Sequence, residues 1–200
     1  MPHATELTHV SPRCVIWQVY DPGVKAELFS TALRLESGVF VVDPIALRDG
    51  ARQQLAALGQ IETVLITNAN HERAAGEFAP EASIFIPPEL RDVFPKAQLL
   101  SEDLSLFELT TVRIDGAAPG EFAFHDPAEG GTLIIGDALI NFDPHGFALL
   151  PAKYCADRKQ MIRSLRRLLD LEFTRIFLAH GPPIVTRARA RLATLLNESS

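Results

Sequence analysis

Short apolar runs separated by polar turns fill the first part of the chain. Residues 14–20, C-V-I-W-Q-V-Y, read as a strand closed by a turn at Asp21-Pro22-Gly23. Residues 30–35 alternate polar and apolar positions, Glu36-Ser37-Gly38 turns, and Val39-Phe40-Val41-Val42 runs apolar into Asp43-Pro44, the pattern of a hairpin. Leu47, Ala51, Leu55 and Leu58 recur at helical spacing, and Gly59 ends that helix. Residues 63–66 predict a buried strand. A helix over about 71–78, a strand over 83–86 and a short helix after Pro87-Pro88 follow. Strands alternating with helices predict an α/β architecture.

The later chain is richer in strands. Residues 105–109, 111–114, 121–124 and 132–135 are short β runs punctuated by Gly and Pro, which suits an antiparallel meander in a second sheet. Residues 157–171 carry Met161, Ile162, Leu165, Leu168 and Leu169 on one helical face. Arg158, Lys159, Arg163, Arg166 and Arg167 lie on the other, a basic face that solvation accounts for. A strand over 175–179 and a helix over 185–196 close the chain.

Composition narrows the class of protein. With 47% hydrophobic and 22% charged residues, 200 residues suit one well-filled domain over 1–200. A formal charge of −6 argues against nucleic-acid binding, which needs a large basic face. Cys14 and Cys155 have no metal-type spacing and read as reduced, mostly buried thiols. The first residues have neither a basic nor an apolar leader region, and no run is long enough for a membrane span. A cytoplasmic protein of bacterial style is expected, with a small-molecule ligand or substrate, no membrane partner, and room for a homo-oligomer.

The chemistry concentrates in residues 63–76, T-V-L-I-T-N-A-N-H-E-R-A-A-G, where a buried strand ends in a polar junction. Strand ends of this kind commonly carry ligand sites in α/β proteins. The junction resembles that of the metallo-β-lactamase-fold hydrolases, whose strand ends in Thr-His-x-His-x-Asp-His and holds two metal ions. On that pattern Thr67 matches, while Asn68, Asn70, Glu72 and Arg73 stand in place of His, His, Asp and His. His71 falls on a position that the pattern leaves free.

Further stretches carry the same resemblance. Pro119-Gly120-Glu121 is similar to the family's Pro-Gly-His turn, with Glu121 in place of a metal-binding His. Thr132-Leu133-Ile134-Ile135-Gly136-Asp137 is similar to the strand ending in Gly-Asp whose carboxylate bridges two metals, and Leu178-Ala179-His180-Gly181 to the final strand ending in His-Gly. Each has a plainer reading, as a turn, a cap or a boundary histidine. Asp43 either supports the metal loop through hydrogen bonds near Asn68, as the resemblance implies, or caps a turn. His145, in the connection after Asp137, is a candidate pocket wall with Phe142, Phe147 and Tyr154, whereas His125 reads as a turn residue. Across the chain the resemblance implies a four-layered αββα sandwich. No nucleophile elbow, phosphate loop or dinucleotide fingerprint competes with it.

The substitutions alter what the site can do. Asn amides are poor zinc ligands, so the usual two-zinc centre is not expected. One reading keeps the fold, uses no cofactor, and binds a ligand or partner in the remaining pocket of Asn68, Asn70, His71, Arg73, Glu121, Asp43 and His145. There Arg73 is expected to pair with Glu72, Asp137 or Glu121. Those three carboxylates against one guanidinium leave a charge of −2, which motivates the alternative. In it one divalent ion (Mn, Fe, Mg or Zn) is held by Asp137, His180 and Glu72, and the protein hydrolyses an ester, thioester or amide with Glu72 or Asp137 as base.

Overall fold

In a computed structural model that describes residues 2–102, 108–142 and 146–199, the period-2 alternation of the strands sorts side chains into layers. The order is β1 (Thr8–Ser11), β2 (Cys14–Asp21), β3 (Ala26–Leu35), β4 (Gly38–Val42), α1 (Asp49–Ala56), β5 (Ile61–Leu65), β6 (Ser83–Ile86), β7 (Gln98–Leu99), β8 (Thr110–Arg113), β9 (Phe122–Asp126), β10 (Thr132–Ile135), β11 (Leu139–Phe142), β12 (Gly146–Leu149), α2 (Arg158–Arg167), β13 (Arg175–Leu178) and α3 (Ala188–Glu198). Strands β1 to β7 form one sheet in sequence order. The order β13-β10-β9-β8 forms a second, and β11-β12 is a separate hairpin.

Phe40 and Val42 of β4 point into a shared core with Phe122 and Phe124 of β9, Ile134 of β10 and Phe177 of β13. Their alternates, Val39 and Val41, pack outward with Leu55 of α1. Ala123, Leu133, Ile135, Ile176 and Leu178 pack outward on the other side, with Met161 and Leu165 of α2 and Leu192 and Leu196 of α3. Helix, sheet, sheet and helix therefore stack as the expected αββα layers. Each fully buried Phe or Leu contributes roughly 1.5–3 kcal/mol to this stacking. Among the described residues, no helix is long and apolar enough to cross a membrane.

Several local expectations change. The helix anticipated over 71–78 is only a 3-10 turn at Ala75–Phe78, because Arg73 takes a left-handed backbone (φ 38°) that interrupts right-handed helix. The short helix after Pro87 is likewise a 3-10 turn, Pro88–Leu90. The strand expected over 105–109 falls mostly outside the described residues. His125 lies in β9 rather than in a turn, buried with Nε2 2.8 Å from the Glu172 carbonyl. Cys14 is buried, Cys155 half-buried, and both are free thiols.

The two sheets are joined at one end. Leu28 of β3 bridges His180 just past β13, and Phe29 N donates to the Ala179 carbonyl at 2.9 Å. At that end β4, β5, β10 and β13 finish and β9 begins.

Candidate metal centre

Every residue of the site leaves one of these strand ends. Asp43 follows β4, Thr67 and Asn68 follow β5, Glu121 precedes β9, Asp137 follows β10, and His180 follows β13. Asp43 is buried in a left-handed conformation (φ 49°), and its carbonyl accepts from Ser30 Oγ at 2.6 Å. Ser30 Oγ in turn accepts from Ile45 N at 2.8 Å, which fixes the turn after β4. Gly136 provides the close approach beneath the site. A Cβ there would meet Thr67 Oγ1 at 2.5 Å, Asn68 Nδ2 at 2.8 Å and Glu121 Oε1 at 2.9 Å.

The junction after β5 is a loop with its own hydrogen bonds. Asn68 Oδ1 accepts from Asn70 N at 2.9 Å, and the Asn68 carbonyl accepts from His71 N at 3.1 Å. This compact turn directs His71 inward. Its Nδ1 lies 2.8 Å from both Asp43 Oδ2 and Thr67 Oγ1. Asp43 also accepts from Thr67 N at 2.8 Å and Thr67 Oγ1 at 2.6 Å. The Thr67 proton is thereby committed to Asp43, so His71 Nδ1 carries a proton for that carboxylate and Nε2 faces the cleft.

Three atoms meet there. His71 Nε2 is 3.1 Å from Asp137 Oδ1 and 3.3 Å from His180 Nε2, and His180 Nε2 is 3.0 Å from the same Asp137 oxygen. Burial would discharge the His71 ring, but the Asp137 and Asp43 carboxylates outweigh it and push its pKa up to about 9. Asp137 feels the reverse balance: burial raises its pKa, and the His71 charge and both imidazole contacts hold it well below the usual carboxylate range. His180 is lowered, chiefly by burial. Its Nδ1 is buried with no hydrogen-bond partner in the structure, and the ring packs against Phe142 with centroids 5.9 Å apart.

The other half of the cleft is an amide and carboxyl cluster. Asn68 Nδ2 donates to Glu121 Oε2 at 2.7 Å, and Ala138 N donates to Glu121 Oε1 at 3.1 Å. Burial, followed by the charge of Asp137, pushes Glu121 up to about 8 despite these two donors. Asn70 is exposed, and its Nδ2 reaches Asp137 Oδ2 at 3.4 Å.

Glu72 departs from the role expected of it. It is exposed and lies outside the His71, Asp137 and His180 cluster, because the turn that brings His71 in carries the next side chain out to solvent. Arg73 departs too. Instead of pairing with Glu72, Asp137 or Glu121, it donates to the carbonyls of Phe29 (2.7 Å), Asp43 (3.0 Å) and Ala179 (3.3 Å). Its left-handed backbone sends the guanidinium beneath the site, where it ties together strand ends of both sheets. Phe147 packs on the outer core under Arg191, Tyr154 is exposed, and His145 lies outside the described residues. The signal for His71 was available in the sequence, as the only imidazole of the junction.

Comparison with known proteins settles the family. A sequence model of the metallo-beta-lactamase superfamily matches residues 8–198. The chain belongs to this superfamily. Its fold is similar to the crystal structure of the DIM-1 metallo-beta-lactamase, with a TM-score of 0.76 at 14% identity over 100% of this chain and 99% of the other. It is also similar to a metallo-beta-lactamase family protein from Thermus thermophilus (TM-score 0.70, 22% identity, 96% of this chain and 80% of the other). A third similar structure is FIM-1 from Pseudomonas aeruginosa in its mono-zinc form, with a TM-score of 0.70 at 13% identity over 99% and 96% of the two chains. No curated protein matches the sequence.

Superfamily membership raises the question of metal, and the donor set answers it differently on the two sides of the cleft. Ligand atoms ~2.0–2.2 Å from a single ion stand roughly 3–3.6 Å apart, and the His71, His180 and Asp137 atoms have that spacing. They are two imidazole nitrogens and a carboxylate oxygen converging on one point, which suits zinc, iron or manganese better than magnesium. On the opposite side Asn68 presents N–H rather than a lone pair to Glu121. That half does not fit an ion.

Proposed function

We propose that this superfamily member is a hydrolase with one metal position, formed by His71, Asp137 and His180, acting on an ester, thioester or amide. The observation that carries this reading is the meeting of three donor atoms of different strand ends within 3.0–3.3 Å, two of them like-for-like ring nitrogens facing each other. A divalent ion held there would supply a Lewis acid and lower the pKa of a water. Asp43 keeps the Nδ1 proton on His71, so that Nε2 is the free donor. Asp137 offers Oδ1 to the two imidazoles and keeps Oδ2 at the cleft mouth, where it can orient the attacking water. Glu72 is too exposed for the role of base. Asn68, Asn70 and Glu121 replace a second set of ligands, so two-zinc hydrolysis is not part of the reading.

A second reading, a metal-free pocket that binds a small ligand, draws on one observation. A protonated His71 between Asp43 and Asp137 already balances those charges without an ion. Elemental analysis separates the two. Protein purified without chelator should carry about one first-row divalent ion per chain. Chelation should remove it together with hydrolysis of p-nitrophenyl acetate, and added metal should restore both. Protein that stays free of metal when offered zinc, iron or manganese would sink the hydrolase reading; two ions per chain would show that the amide half binds metal after all.

A further inference from the structure

Asn70 is the solvent-facing donor of the cleft with capacity to spare, whereas the unpartnered His180 Nδ1 is buried. Thr67 Oγ1 is committed to Asp43, Asn68 Nδ2 to Glu121 at 2.7 Å, and the Arg73 guanidinium to three carbonyls. Asn70 Nδ2 has two N–H groups and one long contact, 3.4 Å to Asp137 Oδ2. It is exposed at the mouth, while its backbone is fixed by Asn68 Oδ1 at 2.9 Å and the preceding residue by Ala69 N to the Pro119 carbonyl at 2.9 Å. A solvent-facing amide on a braced loop is a preorganised hydrogen-bond donor, and it stands beside the free oxygen of the proposed metal-binding carboxylate.

We infer that Asn70 is a substrate-binding residue whose side-chain amide takes the carbonyl oxygen of an acyl ester, and that the site selects carboxylic esters over phosphoesters. The inference rests on the proposed one-metal hydrolase. A single carbonyl oxygen needs one neutral donor opposite the cation. A phosphoryl group carries charge on several oxygens, and in two-metal sites it is clamped by both ions. Here the side away from the ion offers a phosphoryl group no second cation, because Asn68 Nδ2 is held by Glu121 and the Arg73 guanidinium by three carbonyls. Asn70 therefore sets both position and class.

The test uses the full chain loaded with cobalt(II), whose visible spectrum reports on the bound ion, and acetate as a probe carrying two oxygens on an acyl carbon. Asn70→Ala and Asn70→Leu should bind cobalt with the wild-type spectrum, since neither adds a donor atom and Asn70 is not a ligand in this reading. Their affinity for acetate should fall about five- to tenfold, the worth of one lost hydrogen bond. With p-nitrophenyl esters, kcat for the acetate should fall roughly 100-fold in Asn70→Ala, the order seen when one preorganised donor is lost. The wild type should turn over the acetate and not the phosphate. Equal acetate affinity in all three proteins, no response of the wild type to acetate, or equal use of the phosphate ester overturns the inference while leaving the metal position standing. Failure of cobalt to bind overturns the hydrolase reading itself, and the inference with it.

Discussion

The two halves of the cleft share one loop, residues 68–71, yet they are chemically opposite. His71, Asp137 and His180 bring ligand-type atoms to a point, whereas Asn68 and Asn70 present N–H groups to the carboxylates of Glu121 and Asp137, and Glu121 is tied further to Ala138 N. The difference comes down to donor type and backbone geometry within four residues, 68–71. An Asn amide satisfies a neighbouring carboxylate with N–H and so closes a position to cations. A His whose Nδ1 is held by Asp43 opens one. The same αββα frame thus carries, side by side, an imidazole and carboxylate cluster that could hold a metal and an amide half that could not.

The comparison breaks most directly by removing one residue from each half. His71→Ala should abolish tight metal binding, a loss well beyond the roughly 10–100-fold expected when only a supporting residue is removed. Asn68→Ala should leave the ion in place. Equilibrium dialysis on both variants decides it: equal metal content would mean that the halves are not distinct.

Arg73→Ala comes next, because the guanidinium underlies both halves. Its three carbonyl acceptors come from β3, the turn after β4 and the end of β13, so its loss uncouples the sheets at the site. Charged hydrogen bonds to partly buried carbonyls suggest about 3 kcal/mol of lost stability, read from a urea unfolding midpoint. An unshifted midpoint would show that the staple is incidental. Asp43→Asn should do less to stability and more to one half only. An Asn at 43 cannot accept from Thr67 N, Thr67 Oγ1 and His71 together, and metal affinity should drop roughly 10–100-fold. If Asp43→Asn binds metal as tightly as the wild type, His71 does not owe its orientation to Asp43.

Much of this frame was legible in the sequence. Apolar β runs at 39–42 and 132–135 located strands of the two facing sheets, and Gly136-Asp137 and His180-Gly181 pointed to two of the three residues that cluster in the cleft. The exchange of Glu72 for His71 was only half legible: His71 is the one imidazole of the junction, but its inward direction leaves no mark in the sequence. It depends on the Asn68 side chain closing a turn and on the left-handed Arg73, both of which a residue-by-residue alignment to a longer-range pattern ignores. Strand β1 and the β11-β12 hairpin were missed because half-exposed runs such as T-H-V-S and G-F-A-L lack a clear apolar period. The Arg73 acceptors are backbone carbonyls, which leave no trace in side-chain identity.

The smallest expected effect, and the one that probes the metal half without mutation, is the pH dependence of binding. In the metal-free protein His71 is raised from 6.5 to about 9 against burial, by Asp137 first and Asp43 next. Its stabilising contribution is therefore complete below pH 6.5 and is lost as pH rises through about 9. Glu121, raised from 4.5 to about 8, runs in the same direction, its contribution complete below 4.5 and lost through about 8. Asp137 and Asp43, both lowered, act oppositely: their contributions exist above the ordinary carboxylate range and disappear in acid. An incoming ion must displace the His71 Nε2 proton, so its affinity should rise about tenfold per pH unit from neutrality toward pH 9 and level off above. The metal-free protein loses the His71 contribution over the same interval, so the gap in Tm between loaded and metal-free protein should widen from pH 6.5 to 9. Calorimetric titrations with zinc at successive pH values, in buffers of different ionisation enthalpy, count the released protons. Affinity independent of pH, with no proton released, would falsify His71 as the donor that distinguishes the two halves.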